Sequence, residues 1–167
     1  MNDILKENME EEDLKLEDVI DLDFLQKFQN AFSDSTNISS VSVDGEGKPV
    51  TIPSNHAEFC TMTRRTELGF KRCAECDRKG GEEALRTGKP CVYECHAGLI
   101  DFGAPIMLGD KQIGSILGGQ VLTKEVDERY IRKVAREIGV NEDVYAEEVK
   151  KIRIIDKKTI KAAADLL

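Results

Sequence analysis

The sequence predicts an α+β domain, an antiparallel sheet of about five strands flanked by helices, and three observations carry that expectation. Residues Cys91 to Leu122 are the most strand-like stretch and are divided by a Gly109-Asp110 turn, which reads as a meander. Ile38 to Ile52 carries a hairpin signature, two apolar-alternating arms around Asp44-Gly45-Glu46-Gly47-Lys48. Elsewhere the apolar residues recur at helical spacing. The length of 167 residues suits one domain that buries about 70% of its unfolded surface. A hydrophobic fraction of 40% and a charged fraction of 34% fit a globular chain with a single core.

The elements follow in order. Met1 to Glu12 is acidic and weakly patterned, an expected flexible leader extending to about residue 15. Leu16, Val19, Ile20, Leu22, Phe24, Leu25, Phe28 and Phe32 follow helical spacing; Asp21 or Asp23 can cap that helix, and the polar run Ser33 to Asn37 ends it. The hairpin comes next. Asn55 is placed to cap a helix carrying Phe59, Cys60, Met62 and Thr63, with Gly69 as its stop, and a second helix is expected from Lys71 to Arg86. Strands are expected over Cys91 to Glu94, Ala97 to Leu108 and Gln112 to Leu122. Gly98, Gly103, Gly114, Gly118 and Gly119 sit inside these apolar segments, where glycine marks a bulge, a bend or a closely approaching ligand. Helices return from Val126 to Ile138, stopped by Gly139, and from Asn141 to Lys151. Asp156 opens a last helix whose stripe of Ile160, Ala164 and Leu167 is available for pairing with a second copy. That helix has no stop signal, so the sequence reads as cut from a longer chain.

Acidic residues outnumber basic ones 32 to 24, giving a net charge of −8. Nucleic-acid binding needs a cationic footprint, so contact with DNA or RNA by this domain is not expected. No apolar run approaches the ~20 residues of a membrane span, and the start has neither a basic nor an apolar signal region. A cytoplasmic location, with no membrane contact, is the expectation.

All five cysteines fall between Cys60 and Cys95, an odd and clustered set that argues against a disulfide framework. Thiolates and imidazole are ligands for zinc, an iron–sulfur cluster or haem, and Cys60, Cys73-x2-Cys76 and Cys95-His96 supply such groups. Buried free cysteines also serve as small hydrophobes. A third reading is redox sensing, with Lys71, Arg72, Arg78 and Lys79 lowering the pKa of Cys73 or Cys76 at a helix start. Cys95 and His96 point to opposite sides of a regular strand, and Gly98 offers the bend that would bring both to one site. His56 is expected at the surface. No phosphate-binding loop, G-x-S-x-G or H-E-x-x-H sequence is present, and the reading is non-enzymatic.

The blocks Cys95-His96-Ala97-Gly98-Leu99-Ile100-Asp101, Ala104-Pro105-Ile106, Ile113-Gly114 and Gly118-Gly119-Gln120-Val121, with Phe59-Cys60 and Arg72-Cys73, resemble the PocR-type sensory domain over Leu22 to Tyr145. The resemblance implies a PAS-like sheet and a sensor of small organic molecules such as diols, feeding a C-terminal output domain and working as a homodimer. It implies a functional centre at Cys60, Cys73, Cys95 and His96. Cys76 and Cys91 have no place in the family pattern, and Cys76 is carried as a further candidate metal ligand. The candidate ligand contacts are Tyr93, His96, Asp101, Pro105 and Gln120. The sensory domain is expected over residues 16–153, with a linker helix beginning at 154.

Overall fold

The computed structural model describes residues 14–167, so most of the expected acidic leader lies outside the described residues. Two helices, α1 (Leu16–Val19) and α2 (Leu22–Thr36), lead into strand β1 (Ser39–Asp44). Helices α3 (Glu58–Arg64) and α4 (Glu67–Thr87) follow, then β2 (Cys91–Glu94), β3 (Ile100–Leu108) and β4 (Lys111–Val121). The chain closes with α5 (Glu128–Ile138), α6 (Glu142–Val149) and α7 (Lys157–Leu166). Among the described residues no helix is long and apolar enough to cross a membrane.

The four strands are antiparallel throughout, in the order β1-β4-β3-β2. The expected second arm of the hairpin, Pro49 to Ile52, is not a full strand. It lies beside β1 through isolated bridges, Val43 to Pro49 and Ser40 to Ser54. Pro49 and Pro53 have no N–H to give to a ladder, which is why pairing stays partial. A buried glutamine makes up the difference. Gln29 of α2 accepts hydrogen bonds from the Ser42 and Thr51 hydroxyls at 3.0 and 2.6 Å and donates to Ile52 O and Ser54 Oγ at 2.8 Å each. With that arm counted beside β1, the sheet has the expected PAS-like order, and α3 and α4 fall between its second and third members.

Strand alternation divides the sheet into two faces. Ser40, Ser42, Ile116, Gly118, Phe102 and Ala104 share the back face through their cross-strand register. This face is closed by the terminal helices: Phe32 of α2 meets Phe102 edge to face at 6.4 Å, and Ile160, Ala163 and Ala164 of α7 complete that cluster. On the front face lie Val41, Leu117, Asp101 and Tyr93, with α3 and α4 standing over them. A further apolar cluster joins Phe59 of α3 to α5 and α6, where Phe59 stacks on Tyr145 at 4.1 Å.

Local details differ from the sequence expectation for identifiable reasons. The first helix is split at Ile20 because Asp21 caps α2 by accepting from the Asp23 and Phe24 N–H groups. It then runs on to Thr36, whose hydroxyl donates back to Phe32 O at 2.7 Å. Gly69 is not a stop. Thr66 caps α4 by accepting from Gly69 N–H, and a methyl group at Gly69 would sit 2.1 Å from Thr63 O, so the glycine lets α4 start tightly against α3. Asn55 does not cap α3; Ala57 takes that position.

The stripe of α7 is covered by the domain's own core. Ile160 and Ala164 are each 1% exposed against the domain's own sheet, and Leu167 is partly buried there. Truncating a fully buried isoleucine leaves a cavity, so Ile160→Ala is expected to lower the unfolding free energy by about 2–5 kcal/mol in urea titrations. A change within about 0.5 kcal/mol, typical of a surface site, would mean that Ile160 is not part of the fold's own core.

Candidate functional site

A cavity of about 810 Å3 opens between the front face and α3 with α4. Its inner end is made by Cys60 and Arg64 from α3, Cys73 and Asp77 from α4, and Tyr93, Asp101 and Gln120 from the sheet. Cys95 and His96 reach it from the turn between β2 and β3. There Cys95 N–H donates to Leu99 O at 2.8 Å and Gly98 N–H to Cys95 O at 2.9 Å. Gly98 adopts φ +83°, a conformation favourable to glycine, and the resulting bend brings both side chains of the Cys-His pair to the cavity.

The sheet end of the site is a β-bulge. Ile100 pairs with Val121 and Asp101 with Gly119, so Gln120 is the extra residue. Its freed backbone N–H donates to Asp101 Oδ1 at 2.8 Å. Gly119 has φ +133°, and a Cβ there would lie 2.5 Å from Asp101 Cα, so only glycine permits the approach. Gln120 itself is held at φ +58°. Its side chain reaches the start of α3, accepting from Ala57 N–H at 2.8 Å and donating to His56 Nδ1 at 2.9 Å.

Beside the bulge stands an ionic cluster. Arg64 donates to Asp77 Oδ2 at 2.7 Å, and the Tyr93 hydroxyl donates to Asp77 Oδ1 at 3.1 Å. Tyr93 is also the cross-strand partner of Asp101. The Tyr93 ring packs so tightly on α4 that a Cβ at Gly80 would fall 2.2 Å from it. Asp77 thus has both oxygens occupied and its charge balanced, whereas no cation among the described residues is at ion-pair distance from Asp101. Burial raises the Asp101 carboxyl to about 7, opposed by the Gln120 N–H.

The thiols are held neutral. Burial raises Cys60 well above the usual thiol range and lifts Cys73 to about 11 despite Arg64, and Cys95 is also raised. Cys73 lies inside α4 rather than at a helix start, and cations do not bring it or Cys76 down. The redox reading expected lowered thiols, and the structure gives the opposite direction. Cys73 Sγ and His96 Nε2 share a hydrogen bond at 3.4 Å. The other ring nitrogen, His96 Nδ1, is buried with no partner among the described residues. Burial and the nearby Arg72 lower the His96 pKa, in keeping with a neutral ring.

Of the sequence-predicted residues, Cys60, Cys73, Cys95, His96, Tyr93, Asp101 and Gln120 all border this cavity. Cys76 does not; its sulfur takes a hydrogen bond from the His96 backbone N–H. Pro105 also lies outside the lining, four residues along β3 from Asp101, although its register partner Ser115 belongs to it. Cys91 is half-buried on β2. No three His, Cys, Asp or Glu side chains among the described residues are grouped to hold a metal ion. His56, expected at the surface, is exposed but is tied to Gln120. Sequence reasoning missed Arg64 and Asp77, since nothing in the spacing between two helices announces an ion pair.

The family described as "Sensory domain found in PocR" matches residues 18–167. The Regulatory protein PocR of Salmonella typhimurium (strain LT2) is 31% identical over 146 residues, which are 87% of this chain and 48% of that protein. The chain thus spans about half the length of that curated relative.

The buried carboxyl makes stability depend on pH. A folded-state value near 7, above the unfolded value near ~3.9, means that the folded chain keeps a proton the unfolded chain has released. This contribution is complete below about pH 4 and is lost as pH rises towards 7, at a slope of at most roughly 1.4 kcal/mol per pH unit. In chemical unfolding at pH 4, 5, 6 and 7, wild type should therefore lose stability relative to Asp101→Asn as pH rises. A constant difference across that range would place the Asp101 pKa outside it.

Proposed function

The chain belongs to the PocR sensory-domain family, and on that premise we propose that it is a non-catalytic sensory module that takes a small organic molecule into the front-face cavity and passes its state to an output domain through α7. One observation carries the reading: the inner wall of the cavity and the anchor of α7 are two residues apart, at and just beyond the end of β4. Gln120 borders the cavity; beyond it, Leu122 N–H donates to Arg153 O at 2.9 Å and Leu122 O accepts from Ile155 N–H at 2.7 Å. Asp156, the next residue, caps α7 by accepting from Thr159 N–H. Arg153 also donates to Thr36 O at 2.9 Å, so the same segment touches the end of α2.

A ligand acts on such a system only through a difference in affinity between two arrangements. Asp101 and Gln120 supply that difference. A molecule that hydrogen-bonds to the Asp101 carboxyl or the Gln120 amide competes with the bonds that hold the bulge and the start of α3. Any change in the bulge then moves Leu122 and the segment it grips. The regulatory role of the relative accords with this arrangement. The buried, neutral thiols favour ligand contact over thiolate chemistry.

Amide hydrogen exchange of the free chain tests the route without a ligand. Gln120→Ala removes the side-chain bonds to Ala57 and His56 and leaves the strand backbone. The expected outcome is faster exchange at the start of α3 and also across 153–166. If the loss of protection stays within 56–60, the bulge does not communicate with α7 and the proposed route fails.

A further inference from the structure

We infer that the cavity is built for a small organic cation, a protonated amine on a short carbon skeleton whose ammonium group binds at Asp101. This rests on the sensory reading above and adds the charge of the ligand. The cavity lining holds five carboxylates, Asp44, Glu46, Asp77, Glu82 and Asp101, against two guanidiniums, Arg64 and Arg78, and no lysine. Both arginines are already committed. Arg64 is bound to Asp77, and Arg78 is paired with Glu75 and Glu82. The histidines add no charge, since burial and Arg64 lower the His56 pKa as they do that of His96.

Three consequences follow from this inventory. An anionic ligand would meet a wall of the same sign with no free cation to receive it. A cleft lined by one sign of charge concentrates mobile ions of the opposite sign, so acidic residues at the mouth favour entry of a cation. At the inner end, Asp101 has neutral hydrogen-bond donors but no counter-ion among the described residues, and a buried carboxylate without one is costly. An ammonium group supplies that missing counter-ion and forms charge-assisted hydrogen bonds, which exceed those of a neutral hydroxyl. Apolar surface from Phe59, Leu117 and Val41 can cover the carbon skeleton.

The binding is proton-linked. The groups facing Asp101 are Cys60 and Arg64 from α3, Cys73 and Asp77 from α4, Tyr93 from β2, and Cys95 from the turn. Tyr93 and the thiols remain protonated and Arg64 remains charged through the neutral range, and burial holds the His56 and His96 rings below the usual imidazole range, so Asp101 is the carboxyl whose proton opposes the amine. A proton and an ammonium group compete for its carboxylate.

Three probes of matched size separate the possibilities: 1-amino-2-propanol, 1,2-propanediol and lactate, which carry a positive, zero and negative charge. Their binding to the intact chain is read by calorimetry and by the amide signal of Gln120 in a 15N-correlation spectrum. The amine is expected to bind at least about tenfold more tightly than the diol, and lactate not to bind. Its affinity should rise between pH 6 and pH 8, and Asp101→Asn should remove at least about tenfold of it. Asparagine retains an oxygen for the Gln120 N–H, and the pH series on wild type gives the same answer if that variant does not fold. A diol that binds as tightly as the amine overturns the inference and leaves the sensory reading in place. Amine binding that is indifferent to both pH and Asp101→Asn overturns it too, as does binding by none of the three; the exchange experiment then judges the sensory reading on its own.

Discussion

The hydrogen bond from Gln120 N–H to Asp101 Oδ1 is the constraint on which the geometry of this domain turns. A regular antiparallel ladder would point that N–H at a backbone carbonyl. One extra residue in β4 frees it, and the carboxylate across the strand takes it up. Three features of the sequence serve that single contact: a glycine at 119 to let the backbones approach, an aspartate at 101 to receive the bond, and a glutamine whose side chain then turns towards Ala57. The position of α3 on the sheet, and with it Cys60 and Arg64, follows from where Gln120 points.

The same contact sets the electrostatics. Asp101 is enclosed by neutral donors and lies within reach of the field of Asp77, whose own charge Arg64 balances. Of the five carboxylates that line the cavity, Asp77 and Glu82 are arginine-bound, whereas Asp101 at the inner end has no counter-ion among the described residues. Chains optimised only for stability pair or remove such a group. Retaining it, beside a buried His96 Nδ1 with no partner among the described residues, is the pattern expected where function overrides local stability.

Much of this was legible in the chain. Alternation and the Gly109-Asp110 turn define β3 and β4, and Asp21, Asn141 and Asp156 mark helix starts because a side-chain oxygen can accept a free N–H there. Gly98 announced the bend that brings Cys95 and His96 to the cavity. The failures share a cause, which is that local pattern does not report three-dimensional neighbours. Gly69 looks like a stop until Thr63 O is found against it, and the α7 stripe looks unpartnered until the back of the sheet covers it. Basic residues near Cys73 in sequence suggested an acidified thiol, but burial outweighs them. Arg64, Asp77 and Tyr93 come from three elements, and only folding makes them one cluster.

The two faces of the sheet explain why a signal would leave by this end. In the middle of the sheet the strands form a close-packed wall: the Phe102 ring lies over Gly118 so tightly that a Cβ there would be 2.5 Å away, and the small cross-strand residue is what accommodates it. Such a wall transmits little, since close-packed interiors resist small displacements. At the bulge the situation differs. Immediately after Gln120, Val121 enters the cluster containing Phe32 and Ile160, and Leu122 enters the one containing Phe59 and Tyr145. Consecutive residues thus join the back core to the front core, one step from the cavity. In the proposed sensor a rearrangement of Asp101 and Gln120 would act on both cores there, and α7, anchored through Ile155 to the same strand end, is the terminal helix placed to respond.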